Sequence, residues 1–593
     1  MLLDVARTLG RQVIAFRGRS TEPSQPTVKQ GENREIDGNF NQIIQLLSRH
    51  CPNLKRWLDE VHLRPYHVTY MSHDSQNEMI DILANNIRGK VKEEVNQSKM
   101  YSVMADTTPD TSNKNRLAVP VRYVKEDGSS FAVKERLLEV KETTDKTGSG
   151  QASDILKSLE DRGLKTSELV FQSYDFASNM SGVYNGARAE VEKKLNRKVA
   201  YIPCQAHRCN TVVEHACESS HIIEELFNIL QQLYVFFLGS TKRHAVIAKH
   251  LKTVENCIQL RNLSKTRWTA RAESINAVWT SLEVIVEALE EALAAPVDAK
   301  IKATISGLLK NVRSFDFIIS LMFMKNIMLK TKFLSESLQH TELNIMDALE
   351  LTKGTITSLE RINDDEESMN SMIEAAVLYA EQSFQISAEE EFARNHRVRR
   401  IPRRYDENAH EATVFDFRQY YRKEFKCVLN VLITQFRDKM QPTLDIIAPI
   451  AGVLQTPLQE PSSENTQKLV AMLPNDVDAE VFQAEFEVFK NIVDHKPELK
   501  DGDHADNVIK FTFMQRKTLP LAWKAHQFML TAPISVAKDE RTFSHLKFVK
   551  SVYRSTMGDK RLDNLMLLNC EKDLADALDM HKVLNQWSSK PRR

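Results

Sequence analysis

The chain has 593 residues, and its 80 basic side chains balance its 80 acidic ones. This length predicts several domains with a sizeable core, whereas the zero net charge gives no support for nucleic-acid binding, which must rest on local patches. Seven scattered cysteines indicate a reducing compartment. No apolar run approaches the roughly 20 residues of a membrane span, and the first residues contain no signal-peptide core.

Residues 1–99 are predicted to form an N-terminal helical region. Positions 18–35 are polar and contain Pro and Gly, which predicts a mobile loop. Positions 72–99 carry a helical stripe of apolar residues, including Leu83, Ile87 and Val91.

Between 101 and 204 the pattern changes to strands. Strands are predicted at 101–105, around 117–123 and from Phe131, followed by a helix from 148 to about 163. A strand at 168–174, a helix at 182–195 and a strand at 199–203 complete a β-β-β-α-β-α-β order. Pro120 falls inside the second strand, where it removes one hydrogen-bond donor from the ladder.

Two aspartates end predicted strands in this region. Asp106 ends an apolar run, and Asp175 follows the strand at 168–174. A third acid, Glu540, lies far downstream beside Asp539 and Arg541. Carboxylates at strand ends suit hard divalent cations, and two such ions can drive in-line attack on a phosphodiester. A capping or solvated role is the alternative for each acid taken alone.

From about 206 to 510 the apolar pattern is helical, with irregular stretches at 396–410 and 456–466. The segment 519–578 carries more apolar surface than two short helices need, so part of it is expected to form a contact between copies.

Several local sequences, in this order along the chain, closely resemble those of hAT-type DDE transposases. They are Ala-Asp-Thr-Thr-Pro-Asp at 105–110, Cys-Gln-Ala-His at 204–207 followed by Asn210, Ser-Lys-Thr-Arg-Trp at 264–268, and the closing stretches at 540–547 and 553–562. The first of them is similar to the animal branch that includes zinc finger MYM-type-like proteins.

The resemblance implies an α/β plus all-α fold: a ribonuclease-H-like mixed sheet interrupted by a large helical insertion domain. It places the first part of the catalytic core at 100–275, the insertion at 276–510 and a C-terminal dimerisation region at 511–593. It also implies that Asp106, Asp175 and Glu540 are the catalytic acids and hold Mg²⁺ or Mn²⁺. Asp539 is interpreted as a charge at a helix start, because the family pattern points to the acid directly before Arg541.

The resemblance puts His207 beside the active site, in contact with the scissile phosphate or its water. Cys204, Cys209, His215 and Cys217 lie nearby, yet their spacing fits neither a zinc knuckle nor a finger. Zinc is therefore not expected, and these thiols are interpreted as helix packing.

Two segments are candidate DNA contacts. Arg267 could pair with phosphate while Trp268 stacks on an unpaired base, as implied by the family, although Trp268 could instead be a core anchor. A basic run could grip phosphates, act as a nuclear-import signal or be a solvated loop; it comprises Arg399, Arg400, Arg403 and Arg404.

The dimer contact is expected to involve Leu546, Leu562, Leu565 and Leu568. No Cys-x-x-Cys…His-x-x-x-His element precedes residue 100, so the BED or TTF zinc finger of such transposases is not expected. Two functions remain open: a nuclear, DNA-binding, homodimeric DDE transposase-like protein, or a domesticated non-catalytic nuclear protein that acts as a dimerisation, interaction or transcription-regulating module. Neither a membrane nor a small-molecule substrate is expected.

Overall fold

The computed structural model describes residues 1–17, 38–63, 69–252, 268–395, 416–454, 458, 462–474, 477–496, 499, 504–551 and 554–589. Packing divides the chain into two compact units, one formed by Met1–Cys204 with Ile446–Arg593 and the other by Gln205–Asp445. The predicted boundaries at 99/100, 275/276 and 510/511 follow sequence pattern and stay predictions. The loop predicted at 18–35 lies outside the described residues.

The first unit begins with four α-helices. These are α1 (Leu2–Arg11), α2 (Asn39–His50), α3 (Pro52–Asp59) and α4 (His73–Ser98), with a 3₁₀ turn at Val61–Leu63. Ser72 caps α4 by accepting a hydrogen bond from the backbone N–H of Ser75 at 3.2 Å. The predicted stripe of α4, including Leu83, Ile87 and Val91, is fully buried, because it packs on β2 of the sheet.

The sheet has five strands in the order β3-β2-β1-β4-β5. Its elements are β1 (Tyr101–Pro109), β2 (Asn115–Asp127), β3 (Ser130–Glu142), α5 (Gly148–Asp161), β4 (Leu169–Tyr174), α6 (Ser178–Ser181), α7 (Ala187–Leu195) and β5 (Ala200–Tyr201), with a 3₁₀ turn at Thr166–Glu168. β1, β2 and β3 pair antiparallel, whereas β1, β4 and β5 pair in parallel. This mixed sheet confirms the predicted fold class.

Two local features differ from the sequence prediction for physical reasons. At Pro120 the β2–β3 register shifts, since Val119 faces Glu139 while Pro120 faces Leu137. The missing N–H of proline is thus placed at a β-bulge. The helix predicted from 182 begins only at Ala187, because the chain from Gly182 to Gly186 forms a tight turn.

The second unit is entirely helical within its described residues. It contains α8 (Gln205–Glu218), α9 (His221–Leu238), α10 (Thr241–Leu251), α11 (Trp268–Thr280), α12 (Leu282–Ala294), α13 (Ala299–Val312), α14 (Phe315–Ser337), α15 (Ile345–Asp364), α16 (Glu366–Phe384), α17 (Ala388–Asn395) and most of α18 (Phe417–Leu454). In the described part of the chain, no single helix is long and apolar enough to cross a membrane; α9 and α10 pass that test only together, bent by 107°.

The chain then returns to the first unit. It forms α19 (Ser463–Met472), α20 (Ala479–Asp494), α21 (His504–Met514), α22 (Pro520–Thr531), α23 (Ala537–Val549), α24 (Asp559–Cys570), α25 (Lys572–Asp576) and α26 (Met580–Ser588). α24 packs against α4 and β3, and α23 packs against β1, β2 and β3. The C-terminal helices therefore belong to the same hydrophobic core as the sheet.

Candidate metal and strand-cleavage site

The parallel pairing of β1 and β4 brings Asp106 and Asp175 to the same edge of the sheet. Ala105 is the register partner of Tyr174. Asp106 follows inside β1, which continues to Pro109 beyond the predicted strand end, and Asp175 directly follows β4. Because the two strands are parallel, the two positions lie next to each other where β4 ends.

Local hydrogen bonds orient both aspartates. Asp106 Oδ1 accepts from the backbone N–H of Thr107 at 2.7 Å. Asp175 Oδ1 accepts from the backbone N–H of Ala177 at 3.2 Å, an Asx-type contact that starts the turn into α6.

The segment before Glu540 is tied to the sheet by two hydrogen bonds and to the chain after β5 by a third contact. The Ser102 hydroxyl of β1 donates to the Thr531 carbonyl at 2.8 Å. Arg122 Nε of β2 donates to the Leu530 carbonyl at 3.1 Å, and the Val536 N–H lies 3.4 Å from the Cys204 sulfur. These contacts fix the start of α23, whose first turn carries Glu540.

The acids interact electrostatically. The pKa of Asp106 is raised to about 7, first by burial and then by the negative charge of Asp175; Glu540 adds to the effect, while the N–H of Thr107 opposes it. The negative charges of Asp175, which directly follows β4, and of Glu540 on α23 therefore both raise the pKa of Asp106.

Asp539 is the residue that the sequence interpretation missed. Its side chain is not a solvated helix-start charge, because Asp539 is 0% exposed. Burial and then the charge of Asp106 raise its pKa well above the ordinary value, with Glu135 and Glu540 adding to the rise and Lys538 opposing it. Helical spacing in the sequence could have indicated this burial. Asp539 lies on the same helix face as positions 536, 543 and 546, which are the buried apolar residues Val536, Phe543 and Leu546.

This carboxylate excess bears on the expected Mg²⁺ or Mn²⁺. Across the residues that the structure describes, no group of three or more His, Cys, Asp or Glu side chains is already arranged to hold a metal ion. However, among these residues neither carboxylate oxygen of Asp539 has a hydrogen-bond partner, and the charges of nearby acids raise the pKa values of Asp106 and Asp539. Oxygen ligands with unneutralised negative charge fit a hard divalent cation.

The other predicted site residues fall into three groups. His207 lies on α8 in the second unit, and its role beside the acids stays a prediction. Cys209 and Cys217 on the same helix are buried, and burial raises the pKa of Cys209 to about 12. Arg267 and the basic run lie outside the described residues, as does the side chain of Trp268; the run comprises Arg399, Arg400, Arg403 and Arg404.

The four predicted dimer leucines lie inside the first unit. Leu546, Leu562, Leu565 and Leu568 are 3%, 0%, 6% and 0% exposed, respectively, and belong to its main core. They fill the space between α4, α1 and the sheet, so in this monomer they offer no surface to a second copy. Their apolar character reflects the completion of the core.

Comparisons with known proteins agree with this architecture. Residues 1–186 match a family described as "ZMYM1/FAM200, RNase-like domain", and residues 492–574 match the hAT family C-terminal dimerisation region. The chain is 22% identical over 553 residues to the mouse "52 kDa repressor of the inhibitor of the protein kinase" and 20% identical over 548 residues to its human counterpart. Each alignment covers 86% of this chain and 67% of the relative. The two family matches confirm the resemblance to hAT-type transposases.

Proposed function

We propose that this chain is a transposase-derived nuclear protein that binds DNA as a homodimer and cleaves it in a metal-dependent reaction. The proposal starts from its matches to a ZMYM1/FAM200-type RNase-like domain and to the hAT C-terminal dimerisation region. The observation that supports this proposal most is the parallel β1–β4 register, which pairs Ala105 with Tyr174 directly before Asp106 and Asp175. The charges of Asp175 and Glu540 also raise the pKa of Asp106. On this proposal, three chain segments distant in sequence supply acids to one site.

The acids alone would repel a DNA phosphate, because like charges oppose one another. Asp106, Asp175 and Glu540 are therefore assigned to hold Mg²⁺ or Mn²⁺. When bound, such ions supply Lewis-acid stabilisation of phosphate charge and a water of lowered pKa. The residues' own contribution is orientation: the hydrogen bonds to Thr107 and Ala177 restrict the two aspartates, and the anchored segment 530–536 sets the position of Glu540.

A plasmid-nicking assay tests this function. We expect the full chain to convert supercoiled plasmid into the open-circular form in Mn²⁺ and not in EDTA, and Asp175→Asn to lose at least about 100-fold in rate, as expected for a residue needed in the transition state. Asp161→Asn, which alters an exposed aspartate on α5, is the matched control. Equal rates for all three proteins would reject the assignment.

The second candidate is a domesticated, non-catalytic nuclear regulator. It is favoured by the relatives, which carry the name of a repressor. This role needs the fold and self-association but not the acids. It predicts that reporter repression by the full chain survives Asp175→Asn, whereas loss of repression in that variant would favour the catalytic function.

A further inference from the structure

The geometry points to Asp539 as an additional divalent-cation ligand, and we propose that it acts with Asp106 and Glu540 in holding the metal. This inference rests on the proposed function and extends its site by one residue. It starts from the contrast between Asp539 and the other buried acids of the first unit.

Those other acids are neutralised by cationic partners. Asp563 accepts from Arg88 at 2.5 Å and from the backbone N–H of Val140 at 2.9 Å. Glu571 accepts from Arg136 at 2.8 Å and pairs with Lys538 at 2.7 Å. Pairing of this kind is the rule for buried charges.

Asp539 departs from this rule. It is 0% exposed, and within the described parts of the chain both of its oxygens lack a hydrogen-bond donor. The neighbouring ammonium of Lys538 is directed to Glu571. After burial, the charges that raise the pKa of Asp539 most are those of Asp106, Glu135 and Glu540.

Of these three, Glu135 is compensated by Arg122, whose NH1 lies 2.9 Å from Glu135 Oε1. Arg541 lies 3.7 Å from the other oxygen of Glu135. The other two, Asp106 and Glu540, are acids assigned to the metal site. A buried carboxylate without a hydrogen-bond donor, whose pKa is raised by the acids assigned to the metal site, offers the oxygen ligands that a hard divalent cation prefers.

Thermal unfolding of the full chain tests this assignment without any activity readout. We expect Mn²⁺ to raise the Tm of the wild type. In Asp539→Asn the Mn²⁺ concentration needed for half of that rise should increase by about 10- to 100-fold, the range found when groups that support a metal site are lost. Because Asp539 has no hydrogen bond to lose, the Tm of this variant in EDTA should not fall.

Asp563→Asn is the matched control, since it removes a buried but paired carboxylate. It should lower the Tm in EDTA and leave the Mn²⁺ midpoint unchanged. If the wild type responds to Mn²⁺ and Asp539→Asn responds with the same midpoint, Asp539 is not a ligand although the metal site exists. If the wild type does not respond at all, the metal site of the proposed function fails together with this inference.

A second, independent observation concerns the turn between α6 and α7, from which we infer a nucleic-acid contact. Tyr184 is 82% exposed and Val183 is 65% exposed. The backbone that carries them is nevertheless closely packed: a Cβ on Gly148 would lie 2.0 Å from the Asn185 carbonyl oxygen, and one on Gly186 would lie 2.3 Å from the nitrogen of Gly182. The turn therefore presents an aromatic ring on a fixed backbone, a few residues after Asp175.

Lysines lie near the turn that carries this ring. Lys193 donates to the Tyr184 carbonyl at 2.8 Å and also pairs with Glu190 at 2.6 Å, which places the last turn of α7 beside the backbone of Tyr184. Lys194 and Lys198 follow and are exposed. Lys146, also exposed, has its carbonyl bound by Asn179 of α6 at 3.0 Å. An exposed aromatic ring on a turn near exposed lysines suits an unpaired base and its phosphates.

Fluorescence anisotropy with a labelled single-stranded DNA oligonucleotide in EDTA tests this contact apart from cleavage. We expect Tyr184→Ala to weaken binding about 5- to 100-fold, the range for loss of one stacked base, and Tyr184→Phe to bind like the wild type. Equal binding by Tyr184→Ala would overturn the contact alone. Failure of the wild type to bind would remove the DNA-binding part of the proposed function as well.

Discussion

Lys550 Nζ lies 2.7 Å from Asp110 Oδ2, although the two residues are 440 positions apart in the chain. The side chains are 2% and 1% exposed. Arg116 Nε, also buried, binds the same carboxylate oxygen at 2.7 Å. This ion pair ties the C-terminal region to the end of β1, a few residues beyond Asp106.

The pair predicts a large loss of stability in Asp110→Asn, because buried Lys550 would lose its counter-charge and buried Arg116 would keep only its pair with Asp559. We expect about 3–5 kcal/mol in urea unfolding at pH 7. Burial opposes the charged form, but hydrogen bonds from Lys550 and Arg116 outweigh it and lower the pKa of Asp110 below its usual 3.8. Its contribution is therefore present above pH 3.8 and is lost as the pH falls through the lowered pKa.

Glu142→Gln is the control, since it removes an exposed pair with Lys114. We expect a change within about 1 kcal/mol. A similar loss in both variants would mean that the buried pair does not join the C-terminal region to the sheet.

The raised pKa of Asp106 predicts a pH-dependent gain in stability for Asp106→Asn. A carboxyl whose folded pKa is about 7 stabilises the fold fully below its unfolded value near 3.8, and this contribution is lost as the pH rises through about 7. Asparagine does not ionise, so Asp106→Asn does not lose this stability as the pH rises. In EDTA its free energy of unfolding should exceed that of the wild type by on the order of 2 kcal/mol at pH 8, with a smaller difference at pH 5. A difference that stays constant between these pH values contradicts the charge coupling.

Burial of the C-terminal leucines predicts that they act on stability and not on dimerisation alone. Leu562→Ala and Leu568→Ala each leave a cavity beside α4 or α1, so we expect losses of about 2–5 kcal/mol in the free energy of unfolding in urea.

Removal of residues 559–593 should unfold the first unit. Circular dichroism of that truncated chain decides the point, because a native thermal transition would show that α24 is dispensable.

Self-association through the matched C-terminal region should instead use an exposed apolar residue. Phe548 on α23 is 70% exposed and lies within the matched range. We expect light scattering to give a dimer mass for the wild type and a monomer mass for Phe548→Glu, since a charge would be buried without a partner. Leu46→Glu, at an exposed leucine of α2, should remain a dimer. A Phe548→Glu dimer would place the interface elsewhere.

Much of the sheet could be predicted because its signals are local. Alternation in β2, the capped stripe of α4 and the turn before β3 each lie within one short segment. The β1–β4 register could not be predicted from such patterns, because pairing depends on packing between distant segments. The same applies to the glycine turn before α7, where three backbones approach one another closely.

Among the acids, too, some could be predicted from local sequence and others could not. Asp175 could be recognised as a strand-end carboxylate, and Glu540 by its resemblance to a family pattern. Asp106 was also predicted to end its strand, but β1 continues to Pro109, because its pairing with β2 extends beyond the local apolar run. Asp539 was misinterpreted because a charged residue on the apolar face of a helix is indistinguishable from a solvated one until the neighbours are known. The four leucines predicted for the dimer contact are buried in the core of the chain itself, and their role in dimerisation stays a prediction. Sequence could not show this burial, since apolar residues look alike whether they face a partner or the chain's own core.

The most direct test of the central claim is plasmid nicking in Mn²⁺ by the wild type and Glu540→Gln, purified in parallel. Glu540 comes from the C-terminal region, so this comparison asks whether that region completes the site carried by the sheet. We predict nicking by the wild type and none above background by Glu540→Gln. Equal nicking by both proteins would contradict the account, because the cleavage would then not depend on the acid that α23 supplies.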